Sequence, residues 1–209
     1  MLRWAWGTLL KLVLVLCVAG AFVAGWIVLR SPDPEYAAYE TLFNRRFHRY
    51  DGLIRDAASR HGVDPMVVKA VVWRESRFDP TKKGLDEERG LMQITDAAAR
   101  EWIKSEKVSS YAPNDLFDPK VNIEAGTWLL ARALRRYEGK DNPLPFALAE
   151  YNAGRSRVYK WSGERDSRDG TPPPTSSREL VANIDIPSTR NYIETVQNRV
   201  QFYRRRGRL

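Results

Sequence analysis

Two histidines, one cysteine and no phosphate-binding glycine loop remove several kinds of chemistry from this 209-residue chain at the outset. The single cysteine, Cys17, lies within an apolar run. The globular part therefore has no disulfide framework and no cysteine metal ligand, and it suits either redox compartment. With only His48 and His61 to contribute, a transition-metal site is short of ligands, and neither a metal nor any other cofactor is expected. His61 directly precedes Gly62 at an expected helix end, where an imidazole complements the helix dipole. Alternating strand patterns and internal repeats are also missing, so the fold should be mainly α. Charge is not scarce: the formal net charge is +8 and the pI about 9.7. A basic chain can meet nucleic acid, anionic lipid or an acidic polymer. The densest cluster, "RRRGR" from Arg204, sits at the very end, and the other cations alternate with acids as on solvated helices, so no nucleic-acid partner is expected.

The one long hydrophobic run is at the start. "LVLVLCVAGAFVAGWIVL", Leu12 to Leu29, is uncharged for 18 residues and extends to about Trp4 if Lys11 reaches the interface, which is long enough for a membrane-crossing helix. A cleaved signal would have an apolar region of about 7 to 15 residues ending at a small-x-small site, whereas "AGA" at Ala19 lies inside this run. A retained anchor is the favoured reading. Arg3 and Lys11 precede the span while Asp33 and Glu35 follow it, which places the N-terminus in the cytoplasm and the remainder outside, in the inner-membrane, single-pass sense. With 43% hydrophobic residues the rest can bury one domain-sized core. The expected organisation is an anchor over 1–30, a stalk over 31–49 and a globular domain over 50–209.

Within that domain helices are signalled by their ends. Gly62 stops a first helix; Asp64 and Pro65 open the next; Thr95 caps a third; Asp118 and Pro119 open a long one with Ile123, Gly126, Leu130, Leu134 and Tyr137 in line. Gly126 on that inner face suggests close helix packing. A helix from about Pro143 breaks at Gly154, a shorter one follows to about Trp161, and "SGERDSRDGTPPPTSSRE" reads as an exposed loop. The last helix aligns Tyr192, Val196, Val200 and Tyr203.

One residue is out of place. In "VVKAVVWRESRF", Val68, Val71, Val72 and Glu75 share one face of a helix advancing 100° per residue; Lys69 and Trp73 project to one side and Arg74 to the other, giving a polar flank to which Glu75 does not belong. The carboxylate of Glu75 points where a core belongs, and burying it ionised and unpartnered is costly. It must be satisfied, neutralised or used. An apolar setting disfavours the charged form and raises the pKa, as a catalytic acid near neutral pH requires.

Four segments then belong together: "ESRF" from Glu75, "GLMQI" from Gly90, "AEYNAG" from Ala149 and "IPSTRNYIETV" from Ile186. In order and spacing, and joined by "LFDPKVNIEAGTWLLARAL", they resemble the lysozyme-like lytic transglycosylases of bacterial cell-wall metabolism, over about Tyr50 to Tyr203. The resemblance implies a goose-type-lysozyme-like fold and peptidoglycan as the partner. It implies cleavage of the β-1,4 bond between N-acetylmuramic acid and N-acetylglucosamine, leaving 1,6-anhydromuramyl ends. Glu75 matches the catalytic acid; Met92 and Gln93 match the glycan groove, where the neutral amide of Gln93 can both donate to and accept from sugar and acetamido groups; Tyr151 and Asn152 match a wall beside the acid that hydrogen-bonds to substrate; Tyr192 matches a tyrosine whose hydroxyl lies near the carboxylate. A single anchored cutter also suits localised work within a cell-envelope complex.

The match has departures. Where the family commonly has a serine and a Gly-Ala pair before "GLMQ", this chain has Gly84, Glu87 and Glu88, and Ser188 stands where a glutamate is frequent. A second carboxylate opposite Glu75 would permit water activation, as in an inverting hydrolase, against the alternative of a solvated charged loop. A glycan-binding or assembly module is a further reading, though such a groove gains nothing from a buried acid.

Overall fold

The computed structural model describes residues 2–29, 44–163, 176–207 and 209, in two compact units, Met1–Arg49 and Tyr50–Leu209. The first unit holds α1 (Leu2–Leu29), which contains the apolar run, and the short α2 (Asn44–His48). Leu10, Leu14 and Phe22 of α1 are largely exposed. Among the described residues no helix is long and apolar enough to cross a membrane. Residue 30 of the expected anchor and residues 31–43 of the expected stalk lie outside the described residues.

The second unit is helical throughout its named elements. It comprises α3 (Asp51–His61), α4 (Pro65–Ser76), α5 (Asp96–Glu106), a 3₁₀ turn (Pro113–Phe117), α6 (Pro119–Arg136), α7 (Pro143–Ala153), α8 (Arg155–Trp161), α9 (Ser177–Asn183) and α10 (Pro187–Arg206). The expected punctuation is in place. Gly62 ends α3 in the left-handed region at φ 69°, and Asp64, Thr95 and Asp118 cap α4, α5 and α6 with side-chain oxygens that accept backbone N–H bonds.

Helix α4 is the axis of the domain, packed against α10 on one side and α3 on another. Val68, Val71 and Val72 are fully buried, as the stripe requires. The polar flank drawn from Lys69, Trp73 and Arg74 is a correction: Lys69 is 0% exposed and Trp73 2%. Because α10 and α3 cover this side of α4, Lys69 has no path to water, and its Nζ pairs with Asp51 Oδ1 of α3 at 2.7 Å. His61 also does more than face a dipole. Its Nε2 lies 2.8 Å from Glu124 Oε1, and Arg60 binds the same carboxylate, clamping α3 to α6.

Two further expectations change. Residues 164–175 of the expected loop lie outside the described residues, but its last residues open α9, because Ser176 and Glu179 form a reciprocal capping box. Gly126 does permit close packing, against a side chain rather than a helix: a Cβ there would stand 2.5 Å from Met92 Sδ. A smaller cluster of Trp102, Ala125 and Trp128 joins α5 to α6.

Candidate active site

Glu75 occupies the last turn of α4, where the chain reverses abruptly. Arg77 and Phe78 both take left-handed backbone, at φ 53° and 61°. For non-glycine residues this costs roughly 1–2 kcal/mol each, offset by burying Phe78, which keeps only 1% of its surface exposed and gains roughly 2–3 kcal/mol. The next residue, Ser76, is buried, and its Oγ donates to the carbonyl of Leu91 at 2.8 Å, tying the end of α4 to the "GLMQ" turn. The reversal leaves Glu75 facing a cleft of about 530 Å³, walled by α4, the 88–95 turn, α5, α6, α7 and the start of α8.

Burial dominates the electrostatics of this carboxyl and pushes its pKa up from 4.5 to about 7. Opposing burial, in decreasing order, are the Tyr192 hydroxyl, which donates to Glu75 Oε1 at 2.7 Å, and the positive charges of Arg74 and Lys82. Glu88, across the cleft, acts in the same direction as burial. The result is an acid half-protonated near neutrality, held by one hydroxyl and open to the cleft. Tyr192 itself is pushed well above the usual tyrosine range by burial and by Glu75, so it is a donor at any physiological pH.

The "GLMQ" turn is built on α6. Asn122, fully buried, donates Nδ2 to the carbonyls of Arg89 (2.7 Å) and Leu116 (2.8 Å) and accepts from the Met92 N–H through Oδ1 (2.7 Å). Gly90, at φ 76°, passes so close that a Cβ would collide with the Leu116 carbonyl and stand 2.5 Å from Asn122 Nδ2. Gln93 lines the cleft with its amide nitrogen already committed, donating to Lys82 O (3.0 Å) and Gly90 O (2.9 Å). That leaves Oε1 as an acceptor and withdraws the donor role expected of the side chain. Met92 is a correction: its side chain is fully buried against Gly126 and Thr127 and does not line the cleft. The glycine at 126 opens a core hole that fits a thioether, and what Met92 offers the site is its carbonyl, which accepts from Tyr151 Oη at 2.9 Å.

Tyr151 and Asn152, at the end of α7, both line the cleft. Asn152 Oδ1 accepts from Thr189 Oγ1 of α10 at 2.8 Å, so its NH2 group is the part left for a ligand. Helix α10 therefore contributes two residues to the site, Thr189 beside Asn152 and Tyr192 beside Glu75. The structure thus gathers Glu75, Gln93, Tyr151 and Asn152 around one space, whereas Tyr192, 2% exposed, lies behind Glu75 and does not line the cleft. The positioning residues Asn122, Ser76 and Thr189 were not singled out in the sequence. Asn122 did carry a signal, since it lies four residues before Gly126 on the same buried face of α6. Two other cleft carboxylates have cationic partners: Glu101 is bound by Arg132, while Glu150 lies 3.2 Å from Arg136 Nε and accepts from Tyr137 Oη at 2.7 Å.

The Tyr192–Glu75 bond has a readable consequence. Tyr192→Phe removes the largest influence favouring the charged form of Glu75, so the pKa of Glu75 rises above its present value of about 7. In Tyr192→Phe the titration of the Glu75 carboxyl, followed by NMR, is expected to move to higher pH; an unmoved titration would show that the hydroxyl does not act on Glu75.

Comparison with known proteins gives this geometry a context. The model of the transglycosylase SLT domain matches residues 52–172. Membrane-bound lytic murein transglycosylase F of Desulfosudis oleivorans is 38% identical over 116 residues, covering 54% of this chain and 24% of that protein. Membrane-bound lytic murein transglycosylase C of Sodalis glossinidius is 30% identical over 173 residues, covering 78% of this chain and 48% of the relative. The chain thus spans about half or less of the length of these relatives. Among solved structures, the 70 kDa soluble lytic transglycosylase of Escherichia coli superposes with a TM-score of 0.60 at 28% identity, over 78% of this chain and 24% of that one.

Proposed function

From the premise that the chain belongs to the transglycosylase SLT domain family, we propose that it cleaves the glycan strands of peptidoglycan without adding water, leaving 1,6-anhydromuramyl ends. The observation that carries this reading is Glu75: one carboxyl, its pKa raised to about 7 by burial, its Oε1 on the Tyr192 hydroxyl, facing the cleft. Such a group can serve twice. Protonated, it gives its proton to the glycosidic oxygen as the C1–O bond breaks. As the carboxylate so formed, it takes the proton of the muramyl C6 hydroxyl while that oxygen bonds to C1, and the enzyme returns to its starting state. No water needs activating, so a second catalytic carboxylate is unnecessary. Tyr192 steadies the carboxylate form between the two transfers. Gln93 Oε1 and the amide NH2 of Asn152 supply an acceptor and a donor for sugar hydroxyls and acetamido groups.

The uncharged run within α1 supports a further reading: the catalytic domain over 50–209 is tethered through 1–30 to the cytoplasmic membrane and faces the extracytoplasmic side, in keeping with relatives that are named membrane-bound. Partner proteins of the envelope would then direct where it cuts.

Product analysis tests the reaction. Purified murein incubated with the full chain should yield anhydro ends by mass spectrometry. A hydrolytic reading rests on Glu88, a cleft carboxylate that belongs to none of the ion pairs among the described residues, and would give reducing ends; no new ends at all would leave a glycan-binding module. The pH profile adds a second check. Because Glu75 must start protonated, kcat/KM should be level below pH 7 and fall tenfold per unit above it, with no acid limb arising from a second carboxylate. A bell-shaped profile would speak for the two-carboxylate hydrolase.

A further inference from the structure

The loop before Gly90 places two hydrogen-bond acceptors where related chains commonly have a serine. Gly84 has no side chain, and two acceptors converge beside it: a Cβ there would collide with the Glu88 carboxylate and lie 3.1 Å from Gln93 Oε1. Each acceptor is held in this orientation. Glu88 Oε2 accepts from the Asp86 N–H at 2.9 Å, and the Glu88 carbonyl accepts from the Gly84 N–H at 2.8 Å. Gln93 turns Oε1 outward because its nitrogen is bound to the carbonyls of Lys82 and Gly90. Both residues line the cleft that Glu75 faces.

The local cations are engaged elsewhere. Lys83 and Arg89 both pair with Glu87, at 2.8 and 3.3 Å, and Lys82 donates to the backbone carbonyl of Glu75. Glu88 is in none of the ion pairs among the described residues. A hydroxyl or acetamido N–H from a sugar brings one proton and can satisfy only one of the two acceptors. A primary ammonium brings three protons and a charge opposite to that of Glu88, and charge-assisted bonds of this kind are about twice as strong as neutral ones.

We propose that the space between Glu88 and Gln93 is a subsite for a primary ammonium group on the glycan substrate, which makes this chain selective for amine-bearing strands. The inference rests on the reading of the chain as a peptidoglycan-cleaving enzyme. Two parts of such a polymer supply the group: a sugar whose 2-amino group is not acetylated, and the free side-chain amine of a diamino acid in an uncross-linked stem peptide.

Four substrates distinguish them. The first is peptide-free, fully N-acetylated strands; the second is the same strands partly de-N-acetylated; the third is N-acetylated strands carrying uncross-linked stems; the fourth is the third with its amines capped by acetylation. The full chain and Glu88→Gln, which keeps the shape and loses the charge, are compared on each by kcat/KM. Wild type should prefer the second over the first, or the third over the fourth, by about tenfold, with the ratio falling to near one in Glu88→Gln; the pair that shows the preference identifies the source. Ratios near one in wild type, or a preference that survives Glu88→Gln, would overturn the subsite. Should wild type cut none of the four, the proposed reaction fails instead, and the same ratios measured as affinities by calorimetry decide the subsite on their own.

Discussion

Glu75→Gln is expected to lower the rate of glycan cleavage by about a thousandfold or more while making the folded domain more stable above neutral pH. The loss follows from removing the only transferable proton the proposed mechanism uses, in an arrangement where general acid–base catalysis contributes roughly 10²- to 10⁴-fold per transfer and both transfers depend on one group. The gain follows from linkage. The carboxyl titrates near 4.5 when unfolded and near 7 when folded, so the native state holds its proton more tightly. Below pH 4.5 the group is protonated in both states and costs nothing; between 4.5 and 7 stability falls as pH rises; above 7 the full cost of burying the charge, about 3 kcal/mol, is present. Glutamine carries no charge and escapes that cost. Thermal unfolding at pH 4 and pH 8 should therefore separate the two proteins only at the higher pH, alongside muropeptide analysis showing the loss of anhydro ends. Inactivity with no stabilisation at pH 8 would mean that Glu75 is not held in a setting that disfavours its charge.

The second large effect concerns Asn122, which touches no ligand space. Asn122→Ala strips hydrogen bonds from the Met92 N–H and from the carbonyls of Arg89 and Leu116, in a region closed to water. Each buried group left unsatisfied costs about 1–3 kcal/mol. The expected destabilisation is about 3–5 kcal/mol, a fall in Tm of about 10 °C for a domain of this size. Activity should fall further than the folded fraction does, because the same bonds set the Met92 carbonyl that positions Tyr151 and the turn that presents Gln93. Asn122→Asp provides the control: it keeps the bond from Met92 but turns both donors into acceptors facing carbonyls, so it should be no better than alanine. Full stability in either variant would sink the account of α6 as the support of the turn. Gly90→Ala should fail for the complementary reason, since its Cβ would occupy the space of the Leu116 carbonyl.

These two residues show what was legible in the chain and what was not. Glu75 stands out because a carboxylate on a valine face breaks a helical period, and three-residue and four-residue steps can be counted without coordinates. The helix ends were equally legible, since Asp64, Thr95 and Asp118 bond to amides two or three residues on and Gly62 tolerates a left-handed turn by itself. Asn122 obeys no such local rule. Its partners are 6, 30 and 33 residues away, so its importance exists only once the 89–92 turn is laid against α6. The same holds for Met92, which the motif placed in the groove but which the space above Gly126 draws into the core, and for Lys69, whose polar flank was closed off by α10 and α3.

The sequence by itself therefore determined the helical class, the boundaries of most helices and the carboxylate that breaks the valine face, because each depends on neighbours within a turn or two. Tertiary structure alone decided that the Tyr192 hydroxyl, 117 residues away, touches Glu75, that Gln93 has only an acceptor to offer, and that Glu88 fills the space left by Gly84 in the same cleft. Those are relations of burial and direction between distant segments. A pKa near 7 is a property of the enclosed cleft, and not of glutamate.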